Sequence, residues 1–213
     1  MGTSDNSMVE QISKKMGMTM QISISKTTGK SMVEDEANGI TVLFSKEHLC
    51  EEENLYEIWK EEVEAVFESH GLSCKLKWNE GKMTVNVTER TRDPEMISKG
   101  ARALFFLACG LSTQWVELIL SGSIYNDIIR LEKPDGVSEE DFSRKYDYFI
   151  AKFDDEFGLA DKWSCYVGFH DSHVIVLADS FKATWGVRHL VRKCLLGNVP
   201  FNNEHSDVLF PDI

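Results

Sequence analysis

The sequence predicts an α+β protein built from two copies of one small unit, and three observations carry that reading. The first is an echo. Ser73-Cys74-Lys75-Leu76-Lys77-Trp78 alternates and is followed by Lys82-Met83-Thr84-Val85-Asn86-Val87, and Ser164-Cys165-Tyr166-Val167-Gly168-Phe169 is followed by His173-Val174-Ile175-Val176-Leu177-Ala178. Subtraction gives 165 − 74 = 91 and 174 − 83 = 91, one offset for both strands of both pairs. The second is the setting, because an amphipathic helical stretch precedes each pair and another follows it. The third is length: 213 residues accommodate two units of about 90 to 100 residues, each large enough to bury a core without staples. Two copies make tandem domains and not a solenoid.

Residues 1–39 form an N-terminal arm, read as a mobile segment or a partner-docking strand. Met18, Met20, Ile22 and Ile24 alternate with Thr19, Gln21 and Ser23, a weak strand signal. Gly29-Lys30-Ser31 looks like the end of a phosphate loop, but Ile24 stands where the first glycine is required.

The first domain is expected over 40–122. Ile40–Phe44 is a short strand. An acidic helix follows, with Leu55, Trp59, Val63, Val66 and Phe67 on one stripe and Glu57, Glu61, Glu64 and Glu68 largely off it, as a solvated face or a surface for a basic partner. Gly71 ends that helix. The next strand places Cys74, Leu76 and Trp78 on one face and Lys75 and Lys77 on the other. Asn79-Glu80-Gly81 turns the chain, and Met83, Val85 and Val87 point inward from the returning strand. Asp93 suits an N-cap and Pro94 a first turn, so a helix starts there. It carries Ile97, Ala101, Leu104, Phe105 and Ala108 and closes at Gly110. A short helix, Thr113–Leu120, leads on to the second unit.

The second domain is expected over 123–198. Ile124–Leu131 is a strand or strand-like edge, Lys133-Pro134-Asp135-Gly136 a turn, and Ser138-Glu139-Glu140-Asp141 a helix entry with residues 142–157 helical. The echoed strand pair turns at His170-Asp171-Ser172. A final helix carries Trp185, Val187, Leu190, Val191, Cys194 and Leu195 and ends at Gly197. Residues 199–213 form a tail in which Val208, Leu209 and Phe210 suit docking as a short linear element.

Composition excludes several classes. No apolar run approaches the roughly 20 residues of a membrane-spanning helix. Residues 1–20 are polar and Met-rich, unlike a secretory signal, and Asn6 replaces the Ser or Thr of a myristoylation signal. The five cysteines are widely spaced with no Cys-x-x-Cys, which argues against a zinc site and for a reducing compartment. Cys74 and Cys165 read as small buried hydrophobes at one repeat position. The net charge of −12 repels polyanions at long range, so nucleic-acid binding needs a local basic patch.

Each unit thus runs strand, helical region, strand, strand, helix. This is the order of a type I KH domain, a fold that clamps single-stranded nucleic acid with a Gly-x-x-Gly loop. Phe44-Ser45-Lys46, Leu55-Tyr56-Glu57-Ile58-Trp59, Glu80-Gly81-Lys82-Met83-Thr84-Val85 and Thr88-Glu89-Arg90-Thr91-Arg92-Asp93-Pro94 together resemble the first KH domain of the KRR-motif ribosome-assembly factors. The helix Ile97–Leu107 and the segment Trp115–Ile129, with Asn126-Asp127-Ile128-Ile129, fit the same family. Leu196-Gly197-Asn198-Val199-Pro200 looks more like the ending of the related partner-of-Nob factors. The resemblance implies tandem KH-like domains, each a small three-stranded antiparallel sheet on helices. It also implies a non-enzymatic role in small-subunit (pre-18S) rRNA processing within the processome. The expected setting is the nucleus and nucleolus, with pre-ribosomal RNA and ribosome-assembly proteins as partners and no small-molecule substrate, membrane or cofactor. The family's first domain lacks the Gly-x-x-Gly, and residues 45–54 contain no glycine either. Its second domain keeps one. The matching stretch here, Tyr148–Glu156, has no glycine and ends in Asp154-Asp155-Glu156, which set negative charge where phosphate would pack. The basic C-terminal KRR segment is also missing. The alternative reading is therefore a pseudo-KH adaptor that binds a protein and no RNA.

Lys75, Lys77, Lys82, Arg90, Arg92, Lys99 and Arg102 form the most basic stretch and are the RNA-binding candidates, against a solvated sheet edge and helix face interleaved with Glu80, Glu89, Asp93 and Glu95. Arg188, Arg192 and Lys193 on the last helix carry the same two readings. His170 and His173 have His-x-x-His spacing but no further ligands, so a polar hairpin turn is preferred to a metal site. The five tryptophans read as core, with Trp185 also suited to stand exposed as a partner anchor.

Overall fold

The computed structural model describes residues 33–36, 39–44, 56, 58–157, 164–170 and 172–196. The expectations placed on Met18–Ile24, Gly29–Ser31, Leu55, Glu57, Asp171 and the 199–213 tail lie outside the described residues. The described chain divides into two compact units, up to Ile124 and from Tyr125 onward.

The first unit contains β1 (Val33–Glu36), β2 (Gly39–Leu43), a π-helical turn (Trp59–Val63) leading into α1 (Glu64–Ser69), β3 (Leu72–Lys77), β4 (Lys82–Val87), α2 (Met96–Ala108) and α3 (Gln114–Ser121). All pairings are antiparallel, in the order β1-β2-β4-β3. The three-stranded sheet expected of this unit is present as β2-β4-β3, and β1 adds a fourth strand by folding back on β2. Register places Val42, Cys74, Met83 and Val85 on one face, where all four are buried beneath α1 and α2. Trp59, Val63 and Phe67 supply the facing stripe. Gly100 seats α2 flush on the sheet: a Cβ there would lie 2.8 Å from Leu72 Cδ1 and 2.9 Å from Val85 Cγ2. Gly71 ends α1 at φ 76, a conformation that favours glycine.

Two expectations change here. Val87 is 47% exposed instead of inward, because it ends the ladder where the chain leaves the sheet. Helix α2 starts at Met96, after a turn in which Asp93 Oδ1 accepts from the Glu95 amide (2.9 Å) and the Asp93 carbonyl accepts from the Met96 amide (3.0 Å). Pro94 lies in that turn, outside the first helical turn.

The second unit contains β5 (Tyr125–Arg130), α4 (Glu139–Phe157), β6 (Cys165–His170), β7 (His173–Ala178) and α5 (Phe181–Val191), which continues into a π-helical turn (Arg192–Leu196). Its sheet has the order β5-β7-β6, the same first-third-second arrangement as β2-β4-β3. Ser138 opens α4 by accepting from the Asp141 amide (3.0 Å), and Ser180 caps α5 by accepting from the Ala183 amide (3.3 Å). Phe149, Phe153 and Phe169 form an aromatic cluster with centroids 5.1 to 6.0 Å apart, beside Val167, Val174, Val176, Val187 and Leu190.

The echo is true for one strand and slipped for the other. β7 lies 91 residues after β4 at both ends (173 − 82 and 178 − 87), but β6 starts 93 after β3 (165 − 72). The first hairpin is joined by four residues, Trp78–Gly81, and the second by two, 171–172. Cys74 pairs with Val85, whose counterpart Val176 pairs with Val167, while Cys165 pairs with Ala178. The two cysteines are therefore not structurally equivalent. A slip of two preserves the face, so both still point inward and are buried.

Candidate nucleic-acid interface

The seven basic candidates fall into three groups. Lys77 pairs with Lys82 and Lys75 with Thr84 across β3-β4, so three lysines share the sheet face opposite to the buried Cys74 and Val85. Thr41 joins them, with its hydroxyl 2.9 Å from that of Thr84. Glu80 tempers this patch, lying 3.5 Å from Lys77 Nζ and 4.0 Å from Lys82 Nζ.

Arg90 and Arg92 are exposed on the loop after β4. That loop is pinned: Thr88 Oγ1 and Thr91 Oγ1 each donate to the Gly71 carbonyl at 2.6 Å, and the Thr88 amide donates to Thr91 Oγ1 at 2.8 Å. A Cβ on Gly71 would meet the Arg90 carbonyl at 2.9 Å, so the glycine admits the loop.

Lys99 and Arg102 lie on α2, the helix packed on the other side of the sheet from Lys75, Lys77 and Lys82. Lys99 donates to Asp93 Oδ2 at 3.1 Å. The Glu95 amide and then Lys99 hold the Asp93 carboxyl below its ordinary range. The structure thus gathers three of the seven on one sheet face and distributes the other four over a loop and a helix.

In the second unit, Tyr148–Glu156 is part of α4 and not a loop between two helices. Backbone amides inside an α-helix are bonded to the preceding turn and are not offered to a phosphate. Phe149, Ile150 and Phe153 of this stretch are core residues. His170 and His173 face each other across the ladder and are buried, so they end and begin strands and do not form an exposed polar turn. The two-residue connection is what draws them into the sheet. No group of three or more His, Cys, Asp or Glu among the described residues is placed to hold a metal. Burial pushes the thiols of Cys74 and Cys165 up to about 12 and that of Cys194 up to about 11, so none is a thiolate nucleophile at neutral pH.

One feature went largely unread in the sequence. Tyr125, Phe181 and Trp185 are 51%, 65% and 46% exposed. The Tyr125 and Phe181 rings meet edge-on at 6.3 Å, and His189 stacks on Trp185 at 5.3 Å with an interplanar angle of 14°. Arg188 donates through Nε and Nη2 to both carboxylate oxygens of Asp127, tying α5 to β5. The available signal was the run 181–196, which contains no acidic residue.

Residues 39–121 match the family model for the Krr1 KH1 domain. Among solved structures, a protein of unknown function from Aeropyrum pernix is similar at 14% identity and a TM-score of 0.56, covering 79% of this chain and 86% of that one. Dim2p from Pyrococcus horikoshii is similar at 16% identity and a TM-score of 0.50, covering 80% and 97%. A chain in the a/eIF2alpha–aDim2p–rRNA complex from the same organism is similar at 14% identity and a TM-score of 0.51, covering 76% and 86%. The chain thus has a tandem KH-like α+β fold, and its first unit is similar to the Krr1 KH1 domain over residues 39–121.

Proposed function

We propose that this protein is a non-enzymatic ribosome-biogenesis factor that acts in small-subunit rRNA processing and assembly. It contacts pre-ribosomal RNA and assembly proteins in the nucleolus. The observation that carries this reading is the match of residues 39–121 to the Krr1 KH1 domain. The likeness in fold to Dim2p, which was also crystallised in a complex with a/eIF2alpha and rRNA, supports it. RNA contact would run through cationic faces, of which Lys75, Lys77 and Lys82 are the best gathered. Each phosphate contact to a single strand adds about 0.7 to the slope of log affinity against log salt. Lys75→Glu with Lys77→Glu is therefore expected to weaken binding and flatten that slope by about 1.4. Epitope-tagged protein should enrich in the nucleolus and co-purify with pre-ribosomal RNA; failure of both sinks the assembly role.

A second reading, an adaptor that binds protein and no RNA, is supported by the unbroken α4 across the expected clamp and by the net charge of −12. Absence of RNA binding at low salt, with a stable protein partner recovered, would select it.

A further inference from the structure

We infer that the solvent face of α5, with Tyr125 of β5, is a stacking platform for unpaired bases of a single-stranded RNA. This rests on the RNA-binding reading above and assigns it a site in the second unit that uses no glycine loop.

The face is built by helical spacing. At about 3.6 residues per turn, Phe181, Trp185, His189 and Arg192 fall on one side of α5, with Lys182 and Lys193 along its border. The opposite side, Ala183, Val187, Leu190 and Val191, is in the core. Aromatic rings and cations therefore alternate on the surface that the core leaves outside. Large apolar side chains exposed together mark a binding surface more often than chance. Here Phe181 is the most exposed of the large hydrophobic side chains described.

The rings are held in place. His189 lies parallel to the Trp185 indole, and Tyr125 braces Phe181 from the neighbouring strand. The Arg188–Asp127 pair fixes the separation, because Asp127 lies two residues from Tyr125 on β5 and Arg188 one turn beyond Trp185 on α5. Phe181 and Trp185 are one turn apart, about 6 Å along the axis, so successive bases can stack on successive rings without compressing the strand.

Charge selects the occupant. Residues 181–196 carry Lys182, Arg188, Arg192 and Lys193 and no carboxylate, within a chain of net charge −12. Asp179, just before the helix, is the nearest acid in sequence to its start, and Asp127 is engaged by Arg188. A helix with cations and no carboxylate of its own, studded with aromatic rings, fits a polyanion with exposed π-faces, which is the combination that binds single strands with little sequence preference.

The test uses the full chain and fluorescence anisotropy with a labelled oligouridylate and an RNA duplex of equal length. The wild type is expected to prefer the single strand. Phe181→Ala with Trp185→Ala should weaken that binding by about tenfold or more while leaving the salt slope unchanged. Arg192→Glu with Lys193→Glu should flatten the slope by about 1.4. Trp185→Phe alone should retain most of the affinity, and thermal melts of all variants should match the wild type, which separates stacking from misfolding. If the α5 variants bind like the wild type while Lys75→Glu with Lys77→Glu weakens binding, the platform is wrong and the RNA reading stands. If the wild type binds neither RNA at low salt, both fall, and the exposed rings are left to a protein partner.

Discussion

Gly100→Ala sets two effects of opposite sign against each other in the first unit. Replacing an interior helical glycine by alanine stabilises a helix by roughly 0.5–1 kcal/mol when the site is open. Here the new methyl would lie 2.8 Å from Leu72 Cδ1, 2.9 Å from Val85 Cγ2 and 3.4 Å from Phe67 Cε1. Favourable carbon contacts sit at about 3.5–4.0 Å, so two of the three must open by more than half an ångström. Leu72, Val85 and Phe67 are all fully buried, and Val85 is β-branched, which leaves little room to turn aside. Overpacking of this kind costs about 1–3 kcal/mol, so it exceeds the propensity gain and leaves a net loss of about 1 kcal/mol. Thiol labelling reads that loss by unit. Cys74 is buried in the first unit and Cys165 in the second, and each is labelled only when its surroundings open. A loss of about 1 kcal/mol makes Cys74 react about fivefold faster at equilibrium opening, with Cys165 unchanged. Ser98→Ala, on the exposed side of the same helix, supplies the propensity term alone and should slow Cys74 labelling or leave it unchanged. If Gly100→Ala protects Cys74 as Ser98→Ala does, α2 is not seated flush on the sheet and the packing argument fails.

Further outcomes concern charge and pH. The Cys74 and Cys165 thiols have folded pKa values of about 12 against an ordinary 9.0, so the neutral thiol favours the folded state. That contribution is complete below about pH 9 and is lost as pH rises toward 12, which a urea midpoint series should show and Cys165→Ala should flatten. Asp93 has the opposite sign: its lowered carboxyl contributes stability above about pH 4 that is lost as pH falls through the folded value. Asp93→Asn should remove that part of the acid sensitivity, read from midpoints below pH 4. Arg188→Ala leaves the mostly buried Asp127 carboxylate with its Ile128 amide contact, and should destabilise the second unit by roughly 1–3 kcal/mol, between exposed and buried pairs. A double-mutant cycle with Asp127→Asn should recover a coupling of at least about 0.5 kcal/mol.

The architecture was legible because the strongest periodicities belong to core elements. Trp59, Val63 and Phe67 are all on the buried stripe, and β4 and β7 obey the 91-residue offset at both ends. The β3–β6 offset misled because two cysteines lie 91 residues apart by coincidence, and a period of two hides an even slip from any face-based test. The fourth strand β1 escaped because Val33–Glu36 is short and acidic and carries no alternation. The basic residues were legible as a list but not as a surface. Lys75 and Lys99 are close in sequence, yet a sheet stands between them. The α5 face was hidden because Trp185 shares its helix with a strong apolar stripe, and only the fold shows which side that stripe faces.

The continuous α4 helix also bears on how this lineage can change. A Gly-x-x-Gly loop and an unbroken helix are alternative paths of one backbone, and here the second path has recruited Phe149, Ile150 and Phe153 to hold the unit together. Each glycine placed there forfeits about 1 kcal/mol of helix propensity before any core volume is counted. A buried Ile or Phe shortened that far forfeits at least about 2–5 kcal/mol more. Single substitutions toward a clamp at these core positions therefore destabilise the domain before they create a ligand site. The helix restricts what the domain can acquire: with Phe149, Ile150 and Phe153 committed to the core, new ligands fit only on surfaces that the core does not need.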